Sequence, residues 1–89
     1  MKRLIETTEG DGLEKLIGEN VEVWCLNYIY AGKLIGVNDK DIVLKNAHIV
    51  YETGPLGDST HKDAQRINAD EWFIRTATIE SFGLTNKLG

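Results

Sequence analysis

The chain has 89 residues, 42% of them hydrophobic, and carries a formal net charge of −4. That is enough for one globular domain and too little for two, and the lone Cys25 excludes an internal disulfide and fits a reducing compartment. The acidic balance argues against general gripping of a phosphate backbone, though not against a site that reads a few unstacked bases.

The opening MKRLIETTEG has two basic residues backed only by Leu4 and Ile5, which is no secretory h-region, and residues 1–10 read as a flexible lead-in. No apolar stretch approaches the length of a membrane span, so a soluble, cytoplasmic protein with no membrane partner is expected. From Asp11 the pattern changes. Asp11 can cap a helix with Glu14 three places on, Leu13, Leu16 and Ile17 share a helical face, and Gly18 ends it. Two turns of helix cannot stand alone and must lie on an apolar surface.

Val21–Leu26 alternates and is rich in β-formers, so it predicts a strand. Tyr28–Val37 predicts a second, interrupted by Gly32 and Gly36, which mark a curl or a close backbone approach. Asn38–Asp41 is a turn, and Ile42–Tyr51 a third long strand. Residues 52–71 hold the only proline and many polar side chains, and read as a long polar loop. Trp72–Arg75 and Thr78–Phe82 are two short strands, and residues 84–89 a tail. The order predicts a mostly β domain over residues 11–83: a short N-terminal helix, then a strongly bent five-stranded, SH3-like small barrel.

That order, with these residues, resembles the Sm-like (LSm and Hfq-type) proteins, over roughly residues 11–51 and 70–82. The first motif is seen in Leu16-Ile-Gly-Glu-Asn-Val21-Glu-Val23, Gly32-Lys-Leu34 and Ile42-Val-Leu44-Lys-Asn-Ala47, the second in Ile74-Arg75-Thr76. In place of residues usual in the family, this chain has Asn38 for Asp, Lys40 for an aromatic or His, and Thr76 for Gly. The resemblance implies a homo-oligomeric ring of about five to seven chains, closed by head-to-tail strand pairing. It implies Trp72, Phe73, Ile74, Ile79 and Phe82 as the oligomer interface. It also implies that Asn38, Lys40, Asp41, Arg75 and Thr76 bind single-stranded, U- or A-rich RNA near the pore.

Each residue also has a plainer reading. An arginine plane can stack on a base while donating hydrogen bonds, but an exposed strand arginine also forms ordinary surface pairs. Asn38 and Asp41 could bond a base edge or simply make the turn, and two aspartates per subunit, Asp39 and Asp41, would make a pore acidic unless Lys40 and Arg75 offset them. Trp24, Tyr28, Tyr30, Trp72 and Phe73 could stack bases, but in short strands aromatics more often build a core or an interface. His48 reads as a packed or edge histidine and His61 as solvated, with no spacing that suits a metal. No set of nucleophile, base and orienting group is present, so neither an enzyme nor a cofactor is expected. Two alternatives stay open: an Sm-like ring serving as an assembly scaffold with its RNA pocket lost, and a monomeric SH3-like module.

Overall fold

The structure, a computed structural model, describes residues 12–87; the expected lead-in, the Asp11 cap and the last two residues lie outside the described residues. It begins with a single 3-10 turn, Gly12–Leu16. The described part of the expected helix is thus a 3-10 turn rather than an α-helix. Leu13 and Leu16 pack on the core, and Gly18, at φ +94, turns the chain so that its N–H reaches Leu34 O.

Six strands follow: β1 (Asn20–Cys25), β2 (Ile29–Val37), β3 (Asp41–Glu52), β4 (Asp63–Arg66), β5 (Glu71–Arg75) and β6 (Ile79–Leu84). All pairings are antiparallel, in the order β4-β3-β2-β1-β6, with β5 also paired to β3. The core is aliphatic: Val21 and Val23 from β1, Leu34 from β2, Ile42, Leu44 and Ala47 from β3, and Ile74 from β5. Each of the larger side chains contributes about 1.5–3 kcal/mol when fully buried, so this cluster holds the fold.

One bend shapes the sheet. Along β2 the buried positions pass from Ala31 to Leu34, and along β3 from Leu44 to Ala47, so both strands exchange faces at the same level. The register slips there, Ala31 facing His48 while Lys33 faces Lys45, and Asn46 adopts φ 54. The chains approach so closely that a Cβ on Gly32 would lie 3.0 Å from Lys45 O and 3.1 Å from Ala47 Cα. Glycine is required at that corner.

Three expectations are corrected. Residues 52–71 are not all loop, because β4 pairs with the far half of β3, His48 facing Arg66 and Val50 facing Ala64. The sequence hides this strand because DAQR satisfies its backbone on the edge of β3 while burying little. The sheet accordingly has six strands, not five, and it is not a closed barrel: β5 pairs only with β3 and β6 only with β1, joined by the 3-10 turn Thr76–Thr78. Thr85–Lys87, expected in a tail, fold back onto the domain. Thr85 N–H donates to Asn20 O and Lys87 Nζ to Pro55 O, leaving Lys87 only 9% exposed.

Among the described residues no helix is long and apolar enough to cross a membrane.

Candidate nucleic-acid interface

The turn between β2 and β3 forms because Asn38 can imitate a backbone. Its Oδ1 accepts from the N–H groups of Lys40 and Asp41, both at 2.8 Å, and its own N–H donates to Asp41 O at 2.9 Å. An aspartate would hold the same turn with one more negative charge, so Asn38 keeps the geometry and lightens the charge. Oδ1 is thereby occupied, and Nδ2 remains as the donor a ligand could use.

The end of β5 docks against this turn. Thr76 N–H donates to Lys40 O at 2.8 Å, and Thr76 Oγ1 lies 3.1 Å from Lys40 O and 3.3 Å from Asp39 O. Arg75 faces Asp41 in the β3–β5 register and forms an ion pair with it, Nε lying 3.1 Å from Asp41 Oδ1. All five residues expected at an RNA site therefore meet at one corner. Arg75 remains 74% exposed at its side chain. A surface pair of this kind is worth about 0–1 kcal/mol, so it orients the guanidinium without being needed for the fold.

Beside Arg75 runs a groove of about 400 Å³ whose lining includes Cys25, Tyr28, Tyr30, Trp72, Phe73 and Thr78. Of the two plainer readings of these aromatics, a core or an interface, the core does not hold. Tyr28, Trp72 and Phe73 are exposed and Trp24 and Tyr30 half-buried, because aliphatic side chains already fill the interior. Tyr28 touches both Tyr30 and Tyr51 edge-to-face, with ring centroids 6.5 and 6.3 Å apart. The sequence does not reveal this cluster beside Arg75 as a unit, since Tyr51 enters it only through the β2–β3 hairpin. Burial raises the Cys25 pKa, against a smaller lowering by its hydrogen bond with Thr78. Burial also raises that of Tyr30, with Cys25, Tyr28 and Tyr51 adding to the shift.

The expected interface residues divide. Phe73 and Phe82 are 61% and 42% exposed, and Trp72 sits at the groove rim. Ile74 is different: it faces Ile42 and belongs to the chain's own core, and Ile79 packs against that core half-buried. Their side chains are drawn inward, while the strands that carry them each keep one unpaired edge.

Both histidines are visible. His48 is half-buried, its Nδ1 3.1 Å from Asn46 O. His61, expected to be solvated, is buried: its Nε2–H donates to Glu22 Oε2 at 3.1 Å and its Nδ1 has no partner. Glu22 also accepts from Trp24 Nε1 at 2.8 Å and from Thr85 Oγ1 at 3.4 Å. No group of His, Cys, Asp or Glu among the described residues is arranged to hold a metal ion.

No protein-family model matches the chain, and no curated protein matches it in sequence. Solved structures do match it. A Pyrococcus abyssii Sm protein in complex with a uridine heptamer aligns with a TM-score of 0.61 at 19% identity, over 82% of this chain and 92% of that one. A chain of the NatC complex bound to CoA aligns with a TM-score of 0.61 at 13% identity, over 94% of this chain and 88% of that one. With its short leading turn, its bent antiparallel sheet and these neighbours, the chain has the Sm-like fold.

Proposed function

We propose that this protein is a cytoplasmic, homo-oligomeric Sm-like ring that binds single-stranded, U- or A-rich RNA through the Asn38–Asp41 turn and Arg75. The observation that carries the reading is the meeting of Asn38, Lys40, Asp41, Arg75 and Thr76 at one exposed corner, with the guanidinium steered by Asp41. In that role Arg75 stacks on a base and offsets phosphate charge, Asn38 Nδ2 donates to a base edge, and Lys40 meets a phosphate. Support also comes from the Pyrococcus protein of the same fold, which was solved with a uridine heptamer.

Assembly has its own support. β5 and β6 each leave one long edge unpaired, and such edges are completed by another chain, covered, or charged. These edges carry Trp72, Phe73, Phe82 and Leu84, all substantially exposed. Pairing β5 of one subunit with β6 of the next would cover them and, repeated head to tail, close a ring of about five to seven chains. Weak single-site affinities would then add by avidity. The reading assigns no catalytic step.

A second reading, in which the ring is an assembly or protein-interaction scaffold without RNA, is favoured by the match to a chain of the NatC complex and by the net charge of −4. One experiment separates them: titration of the purified protein with oligo-U and oligo-A at two salt concentrations, with its mass measured by light scattering. Binding that weakens with salt supports the RNA site. An assembled ring that binds neither oligonucleotide at low salt rejects it and leaves the scaffold, and a stable 10.0 kDa monomer rejects the ring.

A further inference from the structure

Away from the Arg75 corner, the outer face of the bend gathers positive charge in a chain that is acidic overall. A pocket of about 340 Å³ opens there, floored by Ala31 and Gly32 and walled by Lys33, Asn46, His48 and the returning segment Thr85–Lys87. Its lining includes three basic residues, Lys33, His48 and Lys87, and no carboxylate among the described residues. Two more basic residues adjoin it in the sheet register, Lys45 facing Lys33 and Arg66 facing His48.

The arrangement is costly unless an anion joins it. Lys33 and Lys45 stand directly opposite each other on paired strands, where like charges repel. Lys45 has Glu71 as its other neighbour across β5, whereas Lys33 faces Asn20 on its second side. Glu22, the nearest acidic residue along β1 on this face, already accepts from Trp24, His61 and Thr85. It is not among the residues that line the pocket.

The fixed parts of the site are pre-positioned. Lys87 is held by its bond to Pro55 O. Asn46 is held from two sides, its carbonyl by His48 Nδ1 and its Oδ1 by Arg66 Nη2 at 3.4 Å. Because a carbonyl only accepts, His48 Nδ1 carries the hydrogen, which fixes the ring's orientation beside the pocket.

We propose that this pocket binds a terminal phosphate, the dianionic monoester of a nucleotide or of an RNA end. Several basic residues gathered at one pocket suit a dianion better than the single charge of a diester inside a continuous strand. The site is distinct from the Arg75 corner: His48 lies seven residues along β3 from Asp41, about 23 Å of extended strand.

The test is a titration of the full chain with uridine 5′-monophosphate and uridine, and with 5′-phosphorylated and 5′-hydroxyl oligo-U. The monophosphate is expected to bind about tenfold more tightly than the nucleoside. A matching preference for the phosphorylated oligonucleotide assigns the site to RNA ends, and its absence assigns it to free nucleotides. Lys33→Glu should abolish the phosphate preference while the melting temperature holds or rises, since the introduced carboxylate would face Lys45 and replace a repulsion with an attraction. Arg75→Ala should leave the preference unchanged, so failure of the RNA corner and failure of this pocket are told apart. Equal binding of nucleoside and monophosphate together with equal binding of the two oligonucleotides, or a phosphate preference that survives Lys33→Glu, overturns the proposal.

Discussion

Arg75 with Asp41 and His61 with Glu22 are two polar contacts of the same length, 3.1 Å, in opposite surroundings. The first lies in the open, its arginine side chain 74% exposed; the second is inside, its histidine side chain fully shielded and its carboxylate 14% exposed. Water screens the first pair and leaves it little net stability, so its geometry is free to serve a ligand. The second pair is shielded from water: Glu22 is the one hydrogen-bond partner of the His61 ring among the described residues, while Glu22 also accepts from Trp24 and Thr85. It ties the 53–62 loop to β1, and through Thr85 it ties the C-terminal segment to the same carboxylate.

The largest expected effect therefore comes from breaking the buried pair. His61→Ala should cost about 3 kcal/mol in unfolding free energy, since it strands part of the Glu22 carboxylate and removes the loop's anchor. Urea unfolding measures it, and a loss under about 1 kcal/mol would show that the pair is no anchor. Oligonucleotide binding per folded molecule should not change.

Next is the corner that separates the two regions. Gly32→Ala places a methyl against backbone atoms of Lys45 and Ala47, which can give way only if β2 and β3 move apart. A loss of about 1–3 kcal/mol is expected, with the Arg75 corner intact in NMR spectra and the phosphate pocket perturbed. A stability equal to the wild type would mean that the bend is looser than its contacts indicate.

How legible each region is in the sequence follows from the same contrast. The first three strands are visible because Val21, Val23, Ile42 and Leu44 announce one buried face by alternation. The Arg75 corner is visible because its residues sit in short motifs at turns. His61 is not, because its burial depends on Glu22, 39 residues away, and nothing near it in the sequence is apolar enough to suggest a covered position. β4 escapes for a related reason: it is stabilised by backbone pairing with β3 and carries no hydrophobic period. Ile74 reads as an outer-edge residue because a free strand edge and a buried strand face can coexist on one strand. Only the register opposite Ile42 separates them.

Cutting the exposed pair should have the reverse signature of His61→Ala. Arg75→Ala is expected to change stability by less than about 1 kcal/mol. Oligonucleotide binding should weaken by about 1–3 kcal/mol for each engaged base, and by more in a ring where several sites act together. An unchanged affinity would reduce Arg75 to a surface residue. A third measurement reads the groove beside it. Because burial raises the Cys25 pKa, less thiolate is present at a given pH than for a free thiol, so alkylation at pH 8 should be slower in the folded protein than in urea. Equal rates would show the groove to be open to solvent at that thiol.

The smallest change is also the most discriminating. Asn38→Asp keeps the acceptor that closes the turn on the N–H groups of Lys40 and Asp41, so stability should stay within about 0.5 kcal/mol of the wild type. Asn38→Ala, which removes that acceptor, should cost about 1 kcal/mol. The aspartate changes two other things at once: it deletes the Nδ2 donor, and it adds a negative charge beside Asp39 and Asp41. Salt separates them. A purely electrostatic loss of RNA affinity should shrink as ionic strength rises and the Debye length falls below the distance to the phosphates. A lost hydrogen bond to a base edge should persist, because it acts at contact and is barely screened. If Asn38 is a base reader, the Asn38→Asp deficit measured at low salt survives at high salt. If Asn38 is only a turn residue, the deficit fades with salt and Asn38→Ala binds at least as well as Asn38→Asp.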